Sequence, residues 1–212
     1  HRVTPLTDDL ECYLEFYCEP KNYFSNKYEL NPAHSEVVEA VRTIKPCKVL
    51  DLGCGQGRNA LFLSSLGFDV TAVDQNIPGL QYLKNVAEAE NLDIKVAHYD
   101  INTAAIQNTY DFISSTVVLM FLNPKCIDNI ITNIQEQTNI GGYNLIVSAM
   151  STEDAPCPLP FPFTLKENEL KEYYRDWELV KYNEDFGHLH KTDANGNRIK
   201  LRFATMLARK VK

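Results

Sequence analysis

The segment Lys48–Asp74, KVLDLGCGQGRNALFLSSLGFDVTAVD, restricts what this chain can fold into more than any other. A short apolar run, Val49-Leu50, leads to Asp51 and then to a glycine-dense turn, Gly53-Cys54-Gly55-Gln56-Gly57. An apolar helical pattern follows as far as Gly67, and a second apolar strand, Val70 to Val73, ends in Asp74. Strand, glycine turn, helix and strand in this order make the nucleotide-binding unit of an α/β sheet. The glycines let backbone approach a ligand at the start of the helix. An acid about 20 residues further on suits the two hydroxyls of a ribose.

Residue chemistry narrows the ligand. A dinucleotide fingerprint carries a third glycine where this chain has Arg58, and Asp51 would repel a pyrophosphate. The same carboxylate suits an amine or a sulfonium. S-adenosylmethionine has both, plus an adenosine ribose for Asp74 and its neighbour Gln75. Asp100-Ile101, after the strand pattern Ile94–Tyr99, fits an adenine: the carboxylate takes the exocyclic amine and the isoleucine covers the ring. A fourth strand pattern, Tyr110–Thr116, runs into Val117. Ligands of open α/β sheets bind beyond the carboxyl ends of the strands, so Thr116 and Val117 should border the donor together with Gly53, Gly55 and Arg58. The Asn/Asp-Pro-Pro-aromatic turn of methyltransferases that act on nucleobase amines is missing at this position, which argues against that chemistry.

Bulk properties exclude other classes. A net charge of −7 over 212 residues argues against a nucleic-acid partner. No apolar run approaches the roughly 20 residues needed to span a bilayer. Six cysteines, Cys12, Cys18, Cys47, Cys54, Cys126 and Cys157, show no C-x-x-C spacing, so no metal site is expected and free thiols in a reducing cytoplasm are. The chain begins at His1 without a methionine or a signal peptide, as a fragment or a tag remnant would.

Taken in order, TDDLECYLEFYC over 7–18 reads as a helix ended by Pro20, and residues 1–21 as an arm or linker outside a catalytic domain of residues 22–212. Asn22–Leu30 reads as an aromatic loop in which Tyr23, Phe24 and Tyr28 either pack or lid the donor. Asn31-Pro32 is expected to open a helix to about Ile44. Further helices are expected over Gly79–Asn91, from Pro124 to Gly141-Gly142, and from Thr164 to about Arg175, with strands over Tyr143–Met150 and Trp177–Asp185. Between them, Ser151–Phe163 holds four prolines in thirteen residues and suits either a cover for a site or a plain connector.

The end of the chain, GHLHKTDANGNRIKLRFATMLARK, reads as a hairpin with a basic face. A two-residue Asn195-Gly196 turn would mix polar and apolar residues on each face. A type I turn with a glycine bulge pairs Thr192 with Arg198, His190 with Lys200, Lys191 with Ile199 and Leu189 with Leu201, leaving one face polar; this register is preferred. It gathers His190, Thr192, Arg198 and Lys200 on one ribbon, either as solvated charge or as an anion site.

Together these stretches resemble the class I S-adenosylmethionine-dependent methyltransferases. They are most similar to the tellurite-resistance TehB family, through NYFSNKYEL with HSEVVEAV, VLDLGCGQGRN, YDFISSTVVLMFL, GGYNLIVSAM and VKYNEDFGHLHKTDANGNRIKLRFATMLARK. The resemblance implies a Rossmann-like α/β fold with a seven-stranded, mostly parallel sheet, an antiparallel edge hairpin and helices on both faces. It implies methyl transfer from S-adenosyl-L-methionine, with S-adenosyl-L-homocysteine as product, to tellurite or selenite in the cytoplasm, and is compatible with a homodimer. Some members carry an extra N-terminal domain, to which residues 1–20 look like the join. His190 and Arg198 take the family's functional positions, with Lys191 where arginine can stand, a change that keeps charge but loses the planar fork. Two rivals stay open: a broad small-thiol or metabolite methyltransferase, and a non-catalytic cofactor-binding module reacting with tellurite through its cysteines. If Arg198 grips the oxyanion, Arg198→Ala should lower tellurite turnover ~10²-fold, the scale of one lost electrostatic donor, with donor affinity nearly intact in a binding assay.

Overall fold

The computed structural model describes residues 22–192 and 195–212, without the side chains of residues 190 and 191. The expected helix over 7–18 and the arm it belongs to lie outside the described residues. Seven strands, β1 (Lys48–Leu52), β2 (Asp69–Asp74), β3 (Ile94–His98), β4 (Tyr110–Thr116), β5 (Thr138–Ala149), β6 (Glu178–Thr192) and β7 (Arg198–Arg209), form one sheet in the order β3-β2-β1-β4-β5-β7-β6. The first five run parallel, and β7 is antiparallel to both β5 and β6. This is the Rossmann-like sheet with an antiparallel edge hairpin anticipated above.

Helices cover both faces because the central strands are apolar on both sides. Helices α1 (22–28), α2 (Ser35–Ala40), α3 (Arg58–Ser65) and α4 (Ile77–Ala89) lie on one face, where Phe24, Val37, Val41, Leu61, Phe62 and Leu83 pack on Val49, Val70 and Phe112. Helices α5 (Ile127–Glu136) and α6 (Glu169–Tyr173) cover the other, burying Ile130, Ile134, Leu170 and Tyr174 against Leu50, Ile113 and Ile146.

Several local expectations are corrected. Residues 22–28 are helical, not a loop. Phe24 is core, and the Tyr23 and Tyr28 hydroxyls and Lys27 converge on Glu90 at the end of α4, so these aromatics pack and do not lid the donor. The next helix starts at Ser35, capped by His34, rather than at Pro32. Gly141 and Gly142 lie inside β5 instead of ending a helix. A Cβ at Gly142 would stand 2.8 Å from both the Asn139 and Asp111 carbonyl oxygens, so the glycine serves close strand approach. Thr164 caps no helix: Leu165 bridges Met150 instead, closing the base of the proline-rich loop, and α6 begins only after Asn168.

The edge hairpin also differs. Thr192 faces Arg198 as expected, but Lys200 faces His188 and Leu201 faces Gly187, in place of His190 and Leu189. Four steps along β6, 188 to 192, match two along β7, 200 to 198, so residues 189–191 bulge opposite Ile199. Leu189 and Ile199 still pack on the cluster of Met120, Leu201 and Phe203, the apolar face that alternation along the two strands anticipates.

A buried polar chain ties the second face together. The Tyr174 hydroxyl donates to Asn144 Oδ1 at 3.0 Å, Asn144 Nδ2 to Thr138 Oγ1 at 2.7 Å, and Thr138 Oγ1 to the Ile134 carbonyl at 2.7 Å. Tyr174→Phe leaves Asn144 Oδ1 without its donor in a site where Tyr174 is fully buried. The expected cost is about 1–3 kcal/mol of stability, read as a lower urea midpoint at unchanged slope.

Candidate functional site

The strand order reverses between β1 and β4, and the site opens at the carboxyl ends of these strands. There the glycine turn is stitched onto β2. The Gly53 and Cys54 N–H groups donate to the Val73 carbonyl at 2.9 and 3.0 Å, and the Gly55 N–H to Asp74 Oδ2 at 2.8 Å. Gly53 has φ +80°, and a Cβ on it would come 2.5 Å from a Val118 methyl. A further close approach went unread in the sequence: a Cβ at Gly79, in the first turn of α4, would meet the Gly55 carbonyl oxygen at 2.8 Å. It replaces, from the next helix, the third glycine that the fingerprint lacks at Arg58.

Around this turn lies a cavity of about 290 Å³. Gly53, Gly55, Asp74, Gln75, Asp100, Ile101 and Val117 line it, all expected, together with Tyr99, Val118, Phe121 and Leu122, which were not named. Asp74 Oδ1 accepts from the Asn76 N–H at 2.8 Å, and Asp100 Oδ1 from the Asn102 N–H at 3.0 Å, which fixes both carboxylates at the rim.

Asp51 and Thr116 stand behind this wall. Asp51 is 1% exposed; Ser114 Oγ donates to its Oδ1 at 3.2 Å, and its Oδ2 has no partner among the described residues. Burial pushes its carboxyl up to about 6, against the opposing pull of the Ser114 hydrogen bond and the Arg58 charge. Thr116 Oγ1 accepts from Asn59 Nδ2 at 3.0 Å, and Asn59 Oδ1 accepts from the His34 N–H at 2.9 Å. This chain spans from the segment before α2 to β4.

A second cavity of about 410 Å³ adjoins the first, and Val117 lines both. Its wall includes His34, Arg58, Asn183, Asp185, His188 and Thr205. Arg58, expected with the donor, therefore stands beside Val117 in the second cavity. Burial draws its guanidinium below its ordinary value, and the Asp51 carboxylate opposes that. His34 is held through Nδ1, which accepts from the Glu36 N–H at 3.2 Å, so that nitrogen carries no proton. Glu36 itself pairs with Lys181 at 2.7 Å. Val117 has φ +62°, a left-handed conformation that costs a β-branched residue on the order of 1–3 kcal/mol. Its N–H donates to the Val147 carbonyl at 2.7 Å, which holds the strained residue in the partition.

Of the basic ribbon, Arg198 is exposed and its side chain bonds to backbone; the side chains of His190 and Lys191 lie outside the description. His188, two residues before His190, lines the second cavity together with His34. The i, i+2 spacing of the two histidines was the signal for it, concealed by the bulge. The proline-rich loop reaches the first cavity through the Phe161 ring, edge-on to Phe121 at 5.3 Å. Arg202 latches its other end, donating to Asp154 at 2.9 and 3.1 Å and to Thr152 at 3.2 Å.

Comparison with known proteins agrees with this geometry. Residues 16–207 match the family model described as "Tellurite resistance protein TehB". A "Probable S-adenosyl-L-methionine-dependent methyltransferase TehB" of Haemophilus influenzae strain 10810 is 64% identical over 210 residues, which are 99% of this chain and 73% of that protein. A protein of Eikenella corrodens called "Hemagglutinin 1" is 52% identical over 210 residues, 99% of this chain and 70% of its own length. The crystal structure of TehB from Haemophilus influenzae superposes with a TM-score of 0.89 at 63% identity, covering 90% of this chain and 67% of that one.

The residues fit S-adenosylmethionine. The turn has room only for glycine at Gly53, a Cβ at Gly55 would project into open space, and Asp74 and Asp100 offer acceptors to a diol and an amine. Protonating Asp51 removes the negative charge beneath this turn. S-adenosylmethionine affinity is therefore expected to fall as pH drops through about 6. Asp51→Asn should bind about 10-fold more weakly at pH 7.5 and lose that pH dependence, both read by calorimetry. An acid-rimmed nucleoside cavity at the switch point of this sheet, and a family match over residues 16–207, place the chain in the TehB family of S-adenosylmethionine-dependent methyltransferases.

Proposed function

We propose that this chain methylates a small chalcogen oxyanion, tellurite first and selenite second, held in the cavity that Arg58, His34 and His188 line. The observation that carries the reading is the partition itself: two cavities share Val117, one rimmed by Asp74 and Asp100, and one lined by the half-buried Arg58 guanidinium beside Asp185 and a Glu36 paired with Lys181. A cationic donor and an anionic acceptor suit these chambers respectively.

S-adenosylmethionine, when bound, supplies an electrophilic methyl group on a sulfonium. The protein's own work is orientation and electrostatics. Asp74 and Gln75 take the ribose hydroxyls, Asp100 the adenine amine, and Ile101 and Leu122 the faces of the ring. Arg58 lines the second cavity with Val117, where its planar fork would suit two oxygens of one anion. His34, with its Nδ1 tied to the Glu36 N–H, has its remaining proton on Nε2 as a donor. A chalcogen(IV) oxyanion carries a lone pair, so its attack needs no strong general base. Val117 borders both chambers, and the latched loop packs Phe161 on Phe121 at the edge of the first.

The test is headspace detection of methylated tellurium from purified protein, S-adenosylmethionine and tellurite. The expected result is product in the complete mixture and none without donor. Arg58→Gln should lower kcat/KM for tellurite by ~10²-fold. A small thiol methylated far faster than tellurite would replace this reading with a broader small-acceptor methyltransferase.

A further inference from the structure

The Arg198 side chain is turned toward its own strand pair. Its Nε donates to the Leu189 carbonyl at 2.9 Å and its Nη2 to the His188 carbonyl at 3.3 Å. Both carbonyls stand at the start of the bulge in β6, where three residues face one and the ladder is interrupted. Carbonyls at such a break need donors from elsewhere. Arg198 is also the residue whose backbone pairs with Thr192 at the far end of the bulge. One residue therefore grips both ends of the irregular stretch: main chain at Thr192, side chain at His188 and Leu189.

The bulge forms part of a wall. Gly187, His188 and Leu189 line the second cavity, and Gly187 lies so close to Phe203 that a Cβ there would come 3.0 Å from the ring. Where the bulge sits decides whether His188 or its neighbours face the cavity, because a one-residue slip in a strand reverses which side chains point to a given face.

We infer that Arg198 is a positioning residue: it clamps the β6 bulge through two backbone carbonyls and so sets the wall of the acceptor cavity, rather than gripping the acceptor with its charge. This rests on reading the second cavity as the acceptor site. It replaces direct oxyanion binding by Arg198 with an indirect role, and gives the cavity-facing contact to His188.

Glutamine separates the two roles. Its side-chain nitrogen sits as many bonds from Cα as the Nε of arginine, so Arg198→Gln keeps the donor to the Leu189 carbonyl while losing the charge. Arg198→Ala loses both. The clamp predicts that kcat/KM for tellurite falls about 10- to 100-fold in Arg198→Ala, the scale of a small misplacement, and that Arg198→Gln recovers most of the loss. S-adenosylhomocysteine affinity should be equal in all three proteins. Amide exchange of residues 189–192, measured without any substrate, should be faster in Arg198→Ala than in wild type, slowed again in Arg198→Gln, and unchanged in β5 in both variants. Arg198→Gln as slow as Arg198→Ala, with wild-type exchange in both, would overturn the clamp in favour of direct charge. If wild-type protein yields no methylated tellurium, the acceptor reading fails, while the exchange comparison still decides whether Arg198 holds the bulge.

Discussion

The glycine turn bonded to the end of β2 is the constraint on which the rest of the site depends. Two N–H groups converge on the Val73 carbonyl and a third on Asp74. These bonds hold the turn flat over the strand ends while the positive φ of Gly53, Gly55 and Gly57 turns the chain into α3. Neighbouring elements use the missing side chains. Leu83 of α4 occupies the place of a Cβ at Gly57, and Gly79 lets α4 reach the Gly55 carbonyl. The nucleoside cavity is thus the space left when two helices and two strands close on a backbone without side chains. A larger residue at Gly79 would have to move the Gly55 backbone, whereas at Gly53 and Gly57 it would crowd the Val118 and Leu83 side chains and be strained by the positive φ.

Charge is distributed unevenly across that frame. Asp74 and Asp100 lie at the rim of one cavity, with Asp51 buried beneath the turn; Arg58 lies in the other beside Asp185 and Glu36, and Val117 borders both. Because Asp51 is desolvated and only partly hydrogen-bonded, its carboxyl titrates near 6. It behaves as a charge in reserve that a bound cation would stabilise. The unfavourable backbone of Val117 belongs to the same arrangement, since local strain persists only where surrounding structure over-determines it. Here the Val147 carbonyl, which accepts the Val117 N–H, supplies part of that constraint.

Contacts between segments distant in sequence finish the site. The proline-rich loop is closed at its base by the Met150–Leu165 bridge, latched by Arg202 on Asp154, and set against the cofactor cavity by Phe161 on Phe121. The His34–Asn59–Thr116 chain ties the segment before α2 to the end of β4. Each is an ordered polar or aromatic contact between segments far apart in the chain.

What the sequence determined by itself was whatever depends on local chemistry and short spacing. The glycine turn, the acids ending β2 and following β3, and the terminal hairpin follow from period, turn residues and charge within a few dozen positions, while the sheet with its antiparallel edge was implied by resemblance. Seven expected lining residues of the first cavity, from Gly53 to Val117, lie where that chemistry puts them. Tertiary structure alone decided the rest. Gly79 could not be paired with Gly55 before α4 was packed, and the His34 N–H meets Asn59 of another helix. Arg58 faces the second cavity because α3 turns it past Val117. The β6 bulge moves Lys200 from His190 to His188 while Leu189 and Ile199 stay on the cluster of Leu201 and Phe203, an offset that no local turn signal contains. Spacing along a chain fixes which groups are near in one element, whereas the packing of elements from opposite ends of the chain fixes which groups meet.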